Sequence, residues 1–234
     1  MPISSSDIIF EDNHLLVVNK RAPLATMGVA DDRPSLIAEA KEYIRRKYNK
    51  PGNVFLGVVS RLDTPVTGIV VLARTSKAAS RLSKQFRNRV VDKQYLALVD
   101  GHVIPEQGEC VDWIVRHPRH RKVLLADESA EGAQLAKLEY ESIQHFKAHD
   151  GSPQTMLAIK LHTGRKHQIR IQLSSRGHPI LGDRKYGSDI SFANGIALHG
   201  RSLTIEHPTL KHEMTFVTPF PKSWRRQGIV LDGG

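Results

Sequence analysis

The stretch Val59-Ser60-Arg61-Leu62-Asp63-Thr64-Pro65-Val66-Thr67-Gly68 decides how the rest of the chain is read. An apolar run, Val54 to Val59, leads into it and a second, Ile69 to Ala73, leads out. Both runs alternate weakly and favour β-branched residues, so each is expected as a buried strand. Pro65 and Gly68 between them are turn residues. Asp63 therefore belongs to a loop held by two core strands, two positions after the cation Arg61. Loops on rigid scaffolds often carry catalytic groups. An ordinary surface Arg and Asp in a turn fit the same pattern.

Upstream, Ile8-Ile9-Phe10, the turn-like Glu11-Asp12-Asn13 and Leu15 to Lys20 suggest a hairpin. Residues 34–48 read as a helix with an apolar stripe of Leu36, Ala40, Tyr43, Ile44 and Tyr48, stopped by Pro51-Gly52. Downstream, 76–90 read as an amphipathic helix. Ala79, Leu82, Phe86 and Val90 fall on one side, Lys77, Arg81, Lys84 and Arg87 on the other. The basic side is either a solvated face or a surface that follows a phosphate backbone. Asp92 to Gly101 reads as a strand ended by glycine, and 111–114, 122–126, 135–143 and 155–159 as further strands. Arg116 to Lys122 is the densest basic run, a loop or hairpin suited to an RNA backbone through Arg119 and Arg121. After Thr163-Gly164 a helix is expected, with Ile169 and Leu173 inward.

Composition narrows the classes. The 234 residues suffice for one substantial core. With 34 lysines and arginines against 24 acids, the net charge is +10, which favours a polyanionic partner, most simply nucleic acid. No long apolar segment suggests a membrane, and no basic-then-apolar leader opens the sequence. A single cysteine, Cys110, excludes an intramolecular disulfide and a cysteine metal site. The neighbouring histidines His117 and His120 stand among arginines, which oppose a bound cation. No P-loop, GxGxxG or HExxH pattern is present. Neither metal nor cofactor is therefore expected.

Three blocks, in order, resemble the RluA-type RNA pseudouridine synthases. The first is Arg61-Leu62-Asp63 with Gly68, the strand after it and Arg74-Thr75. Ser60 stands where that family has His, and Val66-Thr67 where it has Thr-Ser. The second is Lys93-Gln94-Tyr95 leading into an apolar strand and Gly101. The third is Thr163-Gly164-Arg165-Lys166-His167-Gln168-Ile169-Arg170, then Gly177-His178-Pro179-Ile180-Leu181-Gly182-Asp183. The opening strand ending Asn19-Lys20, with Pro23 one position late, and the later Leu198-His199 and His207-Pro208 extend the likeness from about residue 10 to 220.

The resemblance implies an α+β pseudouridine synthase fold: a mixed, mostly antiparallel sheet flanked by helices and loops. It implies one catalytic domain over 1–234, without a preceding S4 RNA-binding domain. It also implies isomerisation of uridine to pseudouridine in structured RNA, ribosomal RNA before transfer RNA, by a cytoplasmic monomer away from membranes. Asp63 takes the place of the nucleophile, Tyr95 that of the active-site tyrosine and Arg170 that of the arginine expected to hold Asp63 ionised. Arg61, Arg165, His167 and the basic residues Lys77, Arg81 and Lys84 are expected on RNA. Two rivals remain: a catalytically idle RNA-binding or ribosome-assembly factor on the same fold, and a glycosidic hydrolase. The hydrolase normally needs two carboxylates, and the resemblance gives a catalytic role to only one, Asp63.

Overall fold

The run Leu15-Leu16-Val17-Val18 has no exposed member, because its strand is covered on both faces. The computed structural model describes residues 3–30, 33–120, 122–148, 150–225 and 229. In chain order its first elements are β1 (Ile8–Glu11), β2 (Leu15–Lys20), α1 (Leu36–Lys47), β3 (Gly57–Val58), β4 (Thr67–Ala73) and α2 (Ser76–Asn88). Next come β5 (Asp92–Asp100), β6 (Gln107–Arg116), β7 (Val123–Ala126), β8 (Gln134–Lys147) and β9 (Pro153–Leu161). The last are α3 (Gln168–Ser174), β10 (Leu198–Glu206), β11 (Glu213–Val217) and α4 (Lys222–Arg225). They form two compact units, residues 1–92 with 200–219, and residues 93–199 with 220–234.

In the first unit the strand order is β1-β2-β4-β10, with β3 also on β4 and β11 on β10. The pairs β1/β2, β2/β4, β3/β4 and β10/β11 are antiparallel. Successive strand residues face opposite sides. Leu16, Val18, Val70 and Leu72 meet Leu36, Ala40 and Ile44 of α1. Leu15, Val17, Ile69, Val71 and Ala73 meet Ala78 and Leu82 of α2, with Leu203, Ile205 and Phe216. A sheet buried on both faces demands apolar residues at every position, and that is why the flanking runs barely alternate.

Both long helices are shorter than their apolar patterns. Ser35 caps α1, its hydroxyl accepting from the Ala38 N–H at 3.3 Å, and Thr75 caps α2 by accepting from Ala78 at 3.1 Å. α2 stops at Asn88 because Arg89 turns left-handed, at φ 58°, so Val90 is 68% exposed instead of joining the apolar stripe. Gln85 takes an inward place. Its amide donates to the Glu206 carbonyl at 2.8 Å and accepts from the Glu206 N–H at 3.0 Å. Of the expected strand 54–59 only Gly57–Val58 is paired.

Gly68 has φ +121°, and a Cβ there would stand 2.3 Å from the Gly200 carbonyl oxygen. Only glycine lets β4 come this close to β10. The turn that carries Asp63 therefore leaves through a fixed contact.

In the second unit the order is β5-β9-β8-β6-β7, every neighbouring pair antiparallel. The expected strands within 107–161 are all present, and β6, β8 and β9 run longer than their apolar segments. Ile114, Val123 and Ala136 pack with Ile171 of α3, and the Gln172 amide donates to the Cys110 and Ala136 carbonyls at 3.1 Å each. Cys110 is fully buried, which pushes its thiol up to about 11 and makes it a poor nucleophile. Trp224 of α4 anchors the end of this unit, edge-on to Phe192 and Phe220. Among the described residues no helix is long and apolar enough to cross a membrane.

Candidate active site

The loop carrying Asp63 is fastened at nearly every backbone step. The Val66 N–H closes a turn on the Asp63 carbonyl at 3.0 Å. Ahead of it, the Thr26 hydroxyl donates to the Leu62 carbonyl at 2.8 Å and accepts the Leu62 N–H at 3.2 Å. The Leu24 N–H reaches the Thr64 carbonyl at 3.1 Å. The Ser60 hydroxyl accepts from Val71 of β4 at 2.9 Å, so the serine at this position ties the incoming chain to the sheet. Arg61 projects exposed, and Asp63 is half-buried.

Lys20 completes the clamp; the family likeness included it in Asn19-Lys20 but gave it no role. A lysine at a strand end reads as a surface residue, yet this one is 1% exposed. Its ammonium donates to the Leu24 carbonyl at 2.7 Å, to Arg21 at 3.0 Å and to Thr64 at 3.4 Å. It thus joins the 20–26 segment to the Asp63 loop. Burial pushes its titration down from 10.5 to about 7, while the Asp63 carboxylate pulls it back up. Between those two values the unfolded chain holds a proton that the folded chain has released. Unfolding free energy therefore rises with pH across that window, by up to about 1.4 kcal/mol per unit. Lys20→Met is expected to flatten that rise in denaturant titrations from pH 7 to 10. Equal slopes in variant and wild type would contradict the account.

Tyr95 and Arg170 stand in the second unit. Tyr95 lies on β5 opposite Ile159 and is half-buried, while Leu96 to Val99 beyond it are buried. The turn after β9 is locked by Thr163, whose hydroxyl donates to the Gln168 side-chain oxygen at 2.7 Å and accepts from the Lys137 N–H at 2.8 Å. Gly164 in this turn lies beside the end of the Lys93 side chain, whose ammonium a Cβ there would meet at 3.2 Å.

Arg170 is 5% exposed and held in a fork. Its Nε donates to Asp183 Oδ2 at 2.6 Å and its Nη2 to Asp183 Oδ1 at 2.7 Å, and its guanidinium stacks 5.0 Å from the Tyr186 ring centre. Asp183 sits in a quoted block but carried no assigned role. The acid beside a glycine gave no hint of its partner thirteen residues earlier. Within the first unit, the Asp63 carboxylate acts electrostatically on the Lys20 ammonium.

The expected RNA contacts divide. Lys77 and Lys84 on α2 are exposed, whereas Arg81 is half-buried and donates to the Pro208 carbonyl at 2.7 Å. Arg119 is exposed in the turn between β6 and β7, and Arg121 lies outside the described residues. Arg165 donates from Nε to the Leu135 carbonyl at 3.1 Å, and His167 Nδ1 lies 2.7 Å from the Tyr186 hydroxyl. These last two contribute to the shape of the Arg170 turn.

A family model described as RNA pseudouridylate synthase matches residues 14–175, a span that contains Asp63, Tyr95 and Arg170. The dual-specificity RNA pseudouridine synthase RluA of Escherichia coli strain K12 is 35% identical over 223 residues, 91% of this chain and 92% of that protein. The ribosomal large subunit pseudouridine synthase D of Xylella fastidiosa is 33% identical, covering 92% of this chain and 66% of its own length. Among solved structures, human RNA pseudouridylate synthase domain containing 4 superposes with a TM-score of 0.76 at 24% identity, over 96% of this chain and 94% of that one. Human RNA pseudouridylate synthase domain containing 1 gives 0.72 at 27% identity, over 94% and 87%. With both the sequence blocks and the whole-chain match in agreement, the chain belongs to the RluA-type RNA pseudouridine synthase family.

Proposed function

We propose that this enzyme isomerises particular uridines to pseudouridine in structured RNA, with Asp63 as the catalytic carboxylate. The observation that carries the reading is the clamped loop: a half-buried Asp63 whose neighbouring carbonyls are pinned by Lys20 and Thr26. In the reaction the N1–C1′ bond breaks, the uracil turns, C5 bonds to C1′, the C5 proton leaves and N1 takes up a proton. Nothing is oxidised or hydrolysed, so the chemistry itself requires no cofactor. Asp63 acts at the sugar or the base. Tyr95 stacks on the uracil and assists proton movement, and Arg170 supplies fixed positive charge.

The target base must first leave its stack, at a cost of roughly a few kcal/mol. Exposed Arg61 is assigned to the gap it leaves, and Lys77, Lys84 and Arg119 to the RNA backbone. Ribosomal RNA is the favoured substrate, in keeping with the name of the Xylella relative, and transfer RNA the second. The enzyme is assigned to the cytoplasm as a monomer. The idle-factor alternative leaves no reason for Asp63, Tyr95 and Arg170 to stand together in one chain.

Incubating the purified protein with RNA tritiated at uridine C5, in excess chelator, tests the reaction. The expected result is tritium release to water without release of free uracil. Free uracil would reveal a hydrolase. Loss of all tritium release, restored by one divalent ion alone, would overturn the metal-free chemistry.

A further inference from the structure

An open groove of about 500 Å³ lies in the first unit between α1 and the segment preceding β3. Lys41, Glu42 and Arg45 of α1 line one side, and Asn53, Val54 and Phe55 the other. None of the three family blocks falls here. Val54 is 7% exposed and forms part of the core, but Phe55 beside it is 52% exposed. About half of this aromatic side chain is open to solvent.

The charge around it is one-sided. Residues 36–55 hold five cations, Lys41, Arg45, Arg46, Lys47 and Lys50, against Glu39 and Glu42. Glu39 is taken by a two-pronged contact from Arg21, at 2.7 Å for each prong. Glu42 is shared by Arg45 and Arg46. Lys41 keeps its exposed charge on the groove wall.

We propose that this groove holds a single-stranded segment of the RNA substrate, with one base stacked on Phe55 and adjacent phosphates beside Lys41 and Arg45. The proposal rests on the reading that RNA is the substrate. Cations next to a bare aromatic face are the means by which proteins hold unpaired nucleotides, because every base offers a π-face. An acidic protein segment would answer the cations and leave Phe55 without a partner. Phe55 stands eight residues before Asp63, so at most about 29 Å of extended chain separates them. RNA presented to the catalytic loop can therefore extend into the groove.

The test measures affinity for a fluorescein-labelled twelve-nucleotide oligouridylate. Phe55→Ala is expected to weaken binding about tenfold, the scale of one lost stacked base, and Phe55→Trp to restore it. Lys41→Gln with Arg45→Gln is expected to make the slope of log affinity against log salt shallower by about 1.4, as for two lost phosphate contacts on a single strand. All three positions are exposed, so melting curves should match wild type. Affinities within twofold of wild type in both the Ala and the double variant overturn the proposal, as does failure of wild type to bind the oligonucleotide. So does oligoglutamate binding that these substitutions abolish while oligouridylate binding persists, which makes the groove a seat for an acidic protein. Tritium release in wild type is scored separately, so failure of the isomerase reading and failure of the groove are distinguishable.

Discussion

Asp63→Asn is expected to abolish turnover while leaving a folded protein that binds RNA within about tenfold of wild type, roughly 1.4 kcal/mol. Asn keeps the size of the side chain but loses the charge and the nucleophilic oxygen. The fold tolerates this because the loop is held by backbone groups: the Asp63 carbonyl on Val66, Leu62 on Thr26, and Thr64 on Leu24. Two electrostatic consequences differ in sign. Arg170 keeps its forked partner Asp183, so it is not stranded. Lys20 loses the carboxylate that pulls its titration upward, so its ammonium gives up its proton at still lower pH. A melting curve and an RNA-binding isotherm therefore accompany the activity assay. Measurable turnover in the folded variant would contradict the nucleophile assignment.

Asp183→Ala should produce the largest loss of stability. Asp183 and Arg170 are 1% and 5% exposed, and removing the acid leaves a guanidinium buried without its fork. Breaking a buried pair in this way costs about 3–5 kcal/mol, or a fall in Tm of about 6–20 °C for a chain of this size. Replacing both partners by apolar residues, Arg170→Met with Asp183→Leu, should recover part of that stability but none of the activity. A fall of less than about 2 °C for Asp183→Ala would show that the pair is not held as described.

The sheet of the first unit was legible because it is buried twice over. Leu15 to Val18 and Ile69 to Ala73 must be apolar at every step when α1 covers one face and α2 the other. The end of α2 was not legible. Val90 fits the apolar spacing, but the left-handed turn at Arg89 takes it out of the helix. Gln85 goes inward for a reason 121 residues away, the open backbone groups of Glu206. Periodicity within one helix cannot register such a partner.

Asp63, Tyr95 and Arg170 were given roles by motif, whereas Lys20 and Asp183 lay in matched stretches without one. Lys20 is read as surface until the carbonyls of Arg21, Leu24 and Thr64 converge on it. That convergence exists only after β2 and the Asp63 loop have folded together. Arg165 and His167 were marked for RNA, and each also makes a hydrogen bond within the chain, to Leu135 and Tyr186. Charged and aromatic side chains are ambiguous in a sequence because the same donors serve a backbone carbonyl or a phosphate equally well.

The central claim is that this chain makes pseudouridine through Asp63, and nucleotide-resolution mapping tests it most directly. Total RNA from cells lacking the gene is incubated with purified wild type or with Asp63→Asn. Pseudouridine is then located chemically in ribosomal and transfer RNA. The account predicts new pseudouridine at one or a few defined uridines with wild type and none with the variant. No new pseudouridine with wild type, or the same sites filled by the variant, would contradict it.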